Sequence, residues 1–463
     1  MEALSPKSAV IELNPAARRP VRPAARPSLA GVQAASVRLP LCFVVAGVLS
    51  LLVSAGFLLA HPDLLAMYHY TPHLIAITHL FVLGFICSIV MGAMYQLVPV
   101  TLETQLFSER LVKWQFAAHV IGFTGMVWSF WSFNMAQVGA FGSLLTLGVG
   151  LFVFNLTRTL AKVQGWNPIK FGIASELFWL ASTVSAGLFL TASKCWSFSS
   201  FQPLAAMHAH AHLGVVGVFV MIIVTVSYKL VPMFTLSELQ NERRAWWSIA
   251  LLDLGLAGAF AAILVQSPFK PVAALVIIAG LVLYGLEIKA IMRARNRRAL
   301  DWGMRYFLTA LVLLVPLSIL ALALSWSRLP VTALTMQLEN VYGLLALAGL
   351  VGLAILGMLY KIVPFLVWFH SYSRHIGRAK VPALAEMYSV PLQIAGYWSF
   401  LVSLGGLCVA TAASDEPGIR WAGSLLALSL VIFAVNMGKI LLHFIRPRIA
   451  AFAPKTTTPV KNL

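Results

Sequence analysis

The sequence is short of charged residues and of cysteine. Only 10% of its 463 residues are charged, whereas a soluble protein of this length carries about 25%, so the composition excludes a soluble fold. The four cysteines are scattered and form no C-x-x-C motif, which argues against a disulfide framework or a thiolate metal site. Acidic residues are also few, with 15 against 33 lysines and arginines, and the formal net charge is +18.

Long apolar stretches take up most of the chain instead. A bilayer core of about 30 Å needs about 20 apolar residues per helix, so the sequence predicts an all-α polytopic membrane protein. Residues 1–37, rich in proline, alanine and arginine, and residues 447–463 are expected to be cytoplasmic tails, the first of them disordered. Twelve spans are expected at approximately 39–60, 73–99, 114–134, 137–157, 170–193, 205–233, 246–266, 271–291, 304–327, 340–367, 388–412 and 420–445.

The basic residues are distributed unevenly between the two sides that these spans define. All but four of the 33 lysines and arginines fall on one side, the exceptions being Lys194, Lys270, Arg328 and Arg420. Cytoplasmic loops of membrane proteins carry such an excess. We therefore expect a bacterial inner-membrane protein with both termini in the cytoplasm, in contact with the lipid bilayer. This asymmetry explains the net positive charge of the chain, so no nucleic-acid partner is needed to account for it.

One motif is written three times in the chain. The second span reads T-H-L-F-V-L-G-F through M-Y-Q-L-V-P, the sixth A-H-L-G-V-V-G-V through S-Y-K-L-V-P, and the tenth G-L-L-A-L-A-G-L through L-Y-K-I-V-P. Its tyrosines, Tyr95, Tyr228 and Tyr360, are 133 and 132 residues apart. The repeat therefore predicts four-helix units at about 38–165, 166–300 and 301–446 in a pseudo-threefold bundle. We interpret each tyrosine with its following proline as an interface anchor at a helix end.

A second register agrees with the first. The fourth, eighth and twelfth spans each carry a polar residue near the cytoplasmic end, namely Asn155, Glu287 and Asn436. Glu287 also belongs to a set of carboxylates in the inner half of the bundle with Glu176 and Asp253. Ionisable residues within a membrane are costly and often functional, so these three are candidates for a proton path. The alternative is structural pairing with Lys289, Arg158 or helix backbone.

Seven histidines on the outer side are the main chemical signal: His61, His69, His73, His79, His208, His210 and His212. Imidazole suits iron, copper and zinc. His208 and His212 are four residues apart and share a helix face, whereas His210 addresses a different neighbour. His79 is the repeat equivalent of His212, so His79, His212 and His208 are candidate cofactor ligands. His208, His210, His212 and His73 are candidate metal ligands. The alternative is that these side chains bond to carbonyls or face lipid headgroups.

The third repeat departs from the other two. Leu344 stands where His79 and His212 stand, and the tenth span contains no histidine. Its outer end offers Glu339, Asn340 and Tyr342 instead. A centre held by the bundle is therefore expected to be asymmetric.

This pattern resembles the catalytic subunit of the heme-copper oxidase and nitric-oxide reductase superfamily, and the T-H-L-F-V-L-G-F phrase is also similar to NnrS-type heme and copper membrane proteins. The resemblance implies that His79 ligates a low-spin heme, that His212 or His208 ligates copper, and that cytochrome c or a quinol-type molecule is a redox partner. It also implies two adjacent copper-binding histidines near the seventh span and heme ligands in the tenth, and this chain has neither.

The first hypothesis is thus an inner-membrane protein that binds heme, and copper if the reduced ligand set suffices, and that acts in electron transfer, nitric-oxide handling or metal handling. If it is an enzyme, it is an oxidoreductase of this superfamily's type. A proton- or metal-ion-coupled transporter without a redox cofactor is the alternative. A cofactor-free partner of a respiratory complex is the third interpretation.

Overall fold

The computed structural model describes residues 37–449, and the regular structure in this range is helical throughout. The predicted all-α membrane fold is confirmed, while the predicted tails lie outside the described residues except where they adjoin the bundle. The twelve long helices are α1 (Arg38–Ala60), α2 (Pro72–Thr101), α3 (Glu109–Trp131), α4 (Met135–Leu160), α5 (Pro168–Trp196), α6 (Pro203–Thr235), α7 (Glu242–Leu264), α8 (Lys270–Arg293), α9 (Trp302–Leu324), α10 (Ala333–His375), α11 (Val390–Ala412) and α12 (Glu416–Ile445).

Eleven of the helices in the described range are long and apolar enough to cross a membrane. The remaining helix, α3, is 23 residues long, as α1 is, but its first two turns contain the charged residues Glu109, Arg110 and Lys113. Large apolar side chains lie exposed around the bundle, among them Trp114, Trp196, Trp247 and Trp421. An exposed apolar surface of this extent is suited to lipid and not to water. The sidedness of the bundle stays a prediction.

The three helices that carry the repeated motif form the centre of the bundle. Between 56% and 78% of the most apolar stretch of α2, α6 and α10 is buried, against 17–44% for the eight other spanning helices of that composition. The third and fourth helices of each predicted unit pack against one another as a hairpin, which pairs α3 with α4, α7 with α8 and α11 with α12. The unit boundaries themselves stay a prediction.

Each central helix contains a π-helical segment at the same height. The segments are Leu80–Cys87, Leu213–Val220 and Leu345–Gly352, so their starts repeat with the spacing of the sequence motif. Each includes a repeated glycine that lets a neighbouring helix approach closely. A Cβ on Gly217 would lie 2.6 Å from the Cβ of Trp179 in α5, and one on Gly84 would lie 2.7 Å from the Cβ of Ser50 in α1. π-helical turns often accompany functional sites.

Two of the second-register residues fix the start of a neighbouring helix. The side chain of Asn155 accepts a hydrogen bond from the backbone N–H of Ser108 at 3.0 Å and donates to its carbonyl at 2.9 Å. Asn436 makes the same two bonds with Ser389, both at 3.0 Å. Ser108 and Ser389 are the N-caps of α3 and α11. These asparagines therefore satisfy loop backbone groups that the apolar surroundings leave without water.

Glu287 does the same in the second unit, with an added ion pair. Its carboxylate accepts hydrogen bonds from the backbone N–H groups of Gln240 at 2.7 Å and Asn241 at 3.0 Å, and Asn241 is the N-cap of α7. The guanidinium of Arg244 donates to the other oxygen at 3.0 Å. The fully buried carboxylate is thus a structural contact, with Arg244 as the partner in place of the expected Lys289 or Arg158.

The interpretation of the repeated tyrosines as interface anchors is wrong. Tyr95, Tyr228 and Tyr360 are only 2%, 2% and 3% exposed, because their rings face the centre of the bundle and not lipid. The hydroxyl of Tyr228 shares a 2.5 Å hydrogen bond with Ser248, and that of Tyr360 accepts one from Asn436. The following prolines lie inside their helices and do not end them.

We predict that Glu287→Ala lowers the free energy of unfolding by about 3 kcal/mol, because it leaves two loop N–H groups and Arg244 without their acceptor. Thermal unfolding in detergent measures the change. Glu416→Ala is the matched control, since it removes a carboxylate paired with Arg420 at an exposed site and is expected to change little. Equal melting temperatures for the two variants would contradict the structural role of Glu287.

Candidate functional site

One large cavity lies among the central helices at the end of the bundle where α2, α6 and α10 begin. Its volume is about 610 Å³, within the roughly 300–1,000 Å³ of typical ligand sites. Most of its wall is apolar. Its histidine, charged and amide side chains come from α2, α6, α8, α10 and the loop before α2, and they are His69, His79, His208, His210, His212, Lys270, Glu339 and Asn340.

The two repeat-equivalent histidines are held in the same way. Nδ1 of His79 is 2.8 Å from the carbonyl oxygen of Ile75, and Nδ1 of His212 is 2.8 Å from that of His208. Since a carbonyl only accepts, each ring donates its Nδ1–H and keeps the lone pair on Nε2. Metal-binding histidines are fixed by such bonds from the other ring nitrogen. The helix backbone therefore presets both rings as ligands.

His79 lies between an aromatic ring and a second histidine. Its ring stacks on Phe130, with centroids 5.2 Å apart, and lies 6.5 Å from the centroid of His210 at an interplanar angle of 15°. Nδ1 of His210 is buried and has no hydrogen-bond partner among the described residues. Gly187 leaves room for the His210 ring, because a Cβ there would lie 3.2 Å from its Cε1. As expected, His210 faces a different neighbour from the other two histidines of α6.

His212 faces the third repeat. Its ring is nearly parallel to that of Tyr342, at a centroid distance of 6.0 Å and an angle of 24°. Tyr342 belongs to the first turns of α10, where the repeat has no histidine. The cavity is therefore asymmetric, as the sequence predicts.

His208 has its close ring contact with His69, at a centroid distance of 5.2 Å, and not with His212. The two Nε2 atoms are 2.9 Å apart. Glu339 Oε2 is 4.0 Å from Nε2 of His208 and 3.9 Å from Nδ1 of His69. One possible ligand atom from each of the three side chains lies within 4.8 Å of the others, which makes this a candidate metal centre. The group thus joins His208 to His69 and Glu339, and the pairing of His208 with His212 as metal ligands stays a prediction.

The loop that carries His69 lies outside the spanning helices. Burial lowers the pKa of His69 from its ordinary value, and the hydrogen bond to Asn340 opposes this shift. Neutral imidazole is the form that binds metals. Tyr68 beside it donates a hydrogen bond of 2.9 Å to Glu339, and burial, followed by the charge of Glu339, raises the pKa of Tyr68.

The structure does not bring His73 to the cavity. Its ring packs edge-on against Trp131 at 4.5 Å and Phe133 at 4.8 Å. His61 also contacts Trp131, at 5.2 Å. Both histidines lie at the end of α3, apart from the rings that line the cavity.

The three candidate proton carriers have different surroundings. Glu287 is occupied by the loop before α7, as described above. Asp253 accepts hydrogen bonds from Ser175 at 2.8 Å and from the indole of Trp179 at 2.7 Å. Neither oxygen of the fully buried Glu176 has a hydrogen-bond partner among the described residues. Of the three carboxyl groups, Glu176 is thus the one without a hydrogen-bond partner among the described residues, and the proton path stays a prediction.

The sequence analysis names His69 and Glu339 among the outer-side polar residues but assigns neither of them as a ligand. His69 lies in a loop, and Glu339 is 270 positions further along the chain, so no helical spacing joins them. The signal in the sequence is the group of polar residues Glu339, Asn340 and Tyr342 at the outer end of the tenth span, which has no histidine.

Comparison with known proteins identifies the class of this fold. No protein-family model matches the sequence, and no curated protein matches it. The structure is similar to that of a heme-copper terminal oxidase determined as a dimer by cryo-EM, with a TM-score of 0.61 and 12% sequence identity over 90% of this chain and 85% of that one. The protein is thus a polytopic membrane protein with a fold like that of this oxidase chain. At this identity the likeness concerns the fold alone.

We predict that Glu176→Met raises the free energy of unfolding by about 1–3 kcal/mol, because burying a polar group without a hydrogen bond costs about that much. Thermal unfolding in detergent tests this. Asp253→Ala, which leaves Ser175 and Trp179 without their acceptor, is the comparison and is expected to be destabilising. A destabilised Glu176→Met variant would mean that the carboxyl group has a structural partner.

Proposed function

We propose that this protein binds one heme in the cavity, that His79 and His210 would hold its iron, and that it acts in membrane electron transfer. The observation that carries the proposal is the arrangement of these two rings. Metal–nitrogen bonds are about 2 Å long, so two imidazoles on opposite sides of one ion have centroids about 6 Å apart. The 6.5 Å between His79 and His210 is close to this value and too long for direct ring stacking.

The hydrogen bonding of the two rings supports the same pairing. The bond from His79 to the carbonyl of Ile75 leaves its Nε2 free, and the buried Nδ1 of His210 has no partner among the described residues. A buried nitrogen without a partner is costly, and a metal bond would remove that cost. His212 also has a free Nε2, but its ring faces Tyr342.

The shape and polarity of the cavity suit a large, mainly apolar group with an acidic edge. Its wall is mostly apolar, and Lys270 places a positive charge there for the two carboxylates of a heme. Bound heme supplies reversible one-electron chemistry, and the surrounding protein sets its potential through the ligands and their burial. The chain itself holds the rings, excludes water and positions Phe130 against His79.

The residues present do not fit a complete heme-copper centre. The cavity wall has no histidine from α7 or α10 among the described residues. We therefore propose heme without the copper centre that the resemblance implies. The transporter alternative receives less support, because Asp253 and Glu287 are held in structural hydrogen bonds. A cytochrome c or quinol-type partner stays a prediction.

We predict that the purified protein shows a low-spin heme spectrum with about one heme per chain, and that His79→Ala and His210→Ala each lose most of it. Removing a residue that only hydrogen-bonds to a metal ligand lowers metal affinity by about 10–100-fold. Removing a ligand itself is expected to lower heme affinity at least as much. Oxidised and reduced visible spectra, with heme quantified as its pyridine complex, measure the effect.

His73→Ala is the matched control, because its ring packs against Trp131 outside the cavity. It is expected to retain heme. His212→Ala distinguishes the two possible partners from α6. If His212→Ala loses the low-spin spectrum and His210→Ala keeps it, the proposed pairing is wrong. No Soret band in the wild type, even after hemin is added, would contradict the proposed function itself.

A further inference from the structure

A second site lies at the mouth of the cavity, formed by three parts of the chain that are far apart in sequence. His69 is in the loop before α2, His208 is in the second turn of α6, and Glu339 is in the second turn of α10. Their possible ligand atoms lie within 4.8 Å of one another. Two imidazoles and one carboxylate are the ligand set of many mononuclear iron and zinc sites.

The hydrogen bonds of Asn340 determine which nitrogen of His69 is free. The amide nitrogen of Asn340 donates to the carbonyl of Met67 and to the side-chain oxygen of Gln337, both at 2.7 Å. Its Oδ1 therefore accepts the 3.1 Å bond from Nδ1–H of His69. This leaves the lone pair of His69 on Nε2, the atom that faces Nε2 of His208.

The distances suit a shared ion. Two ligands at about 2.1 Å from one metal lie about 3 Å apart when they are adjacent in octahedral geometry, and at most about 4.2 Å apart when they are opposite. The two Nε2 atoms are 2.9 Å apart, and Glu339 Oε2 is 4.0 Å from His208 Nε2. Both separations are within the range that the ligands of one ion span.

Hydrogen bonds join the loop that carries His69 to the start of α10. Gln337 donates to the carbonyl of Ala66 and Asn340 to that of Met67. The hydroxyl of Tyr68 donates to Glu339 Oε2 at 2.9 Å. Hydrogen bonds of this kind orient ligands and reduce the entropy lost on binding.

We propose that His69, His208 and Glu339 bind one divalent first-row transition-metal ion, such as Fe²⁺ or Zn²⁺, separately from the heme. Asn340 and Tyr68 are positioning residues that act through His69 and Glu339. All three side chains line the cavity. The site does not depend on the proposed heme, because it shares no ligand with His79 and His210.

The test is metal binding by the full-length protein in detergent after treatment with a chelator. We expect one Zn²⁺ per chain by elemental analysis, and one Fe²⁺ when iron is added without oxygen. His69→Ala, His208→Ala and Glu339→Gln are each expected to weaken Zn²⁺ binding at least tenfold in competition with a chromophoric chelator. His73→Ala is the matched control and is expected to bind as the wild type does.

Lys270 provides a test of charge. It interacts electrostatically with His208 and Glu339, so its positive charge opposes a bound cation. Lys270→Gln is expected to tighten Zn²⁺ binding several-fold, and unchanged or weaker binding would contradict the proposed position of the ion.

Heme content separates this proposal from the previous one and reports folding. Glu339→Gln and His69→Ala are expected to retain the wild-type heme spectrum while they lose Zn²⁺ affinity. The metal proposal is overturned if the stripped wild type takes up no Zn²⁺ or Fe²⁺, or if the three variants bind as the wild type does. In that case His69 and His208 are joined by a hydrogen bond alone. Zn²⁺ binding by a protein without a Soret band would contradict only the heme proposal.

Discussion

The chemistry available to the cavity depends on a hydrogen bond from each of the two repeat-equivalent histidines to a carbonyl one helical turn earlier. His79 and His212 both donate Nδ1–H in this way. A bilayer core offers no water to satisfy a ring nitrogen, so the helix itself supplies the acceptor. The bond fixes the tautomer and the direction of the ring together. In His69, the side chain of Asn340 accepts the hydrogen bond from Nδ1–H and fixes the tautomer in the same way.

Much of the fold follows from the sequence because the membrane limits the choices. Helix length and apolarity locate the spans, and the observed helices differ from the predicted ones mainly by a few residues at their ends, as α6 does at Pro203–Thr235 against 205–233. The repeat also points to the central helices, since the shared motif lies on the three most buried ones. Hydropathy alone does not predict the π-helical turns that follow His79 and His212.

The candidate site was predictable in its residue types but not in its partners. The clustering of histidines on one side indicated the region, and four of the seven line the cavity as members of α2 and α6. Which ring meets which depends on how α10 packs against the loop before α2, and no local pattern encodes that contact. For the repeated tyrosines the residues were identified but their environment was predicted wrongly. An aromatic ring near a helix end suits both a lipid interface and a buried hydrogen bond such as that of Tyr228.

The contact between the loop before α2 and the start of α10 has a consequence for biosynthesis. His69 and Asn340 are 271 residues apart, and ribosomes add roughly 5–20 residues per second. The loop before α2 is therefore synthesised tens of seconds before the start of α10. Until α10 is inserted, the cavity lacks the wall that α10 supplies. The last third of the chain therefore completes the cavity.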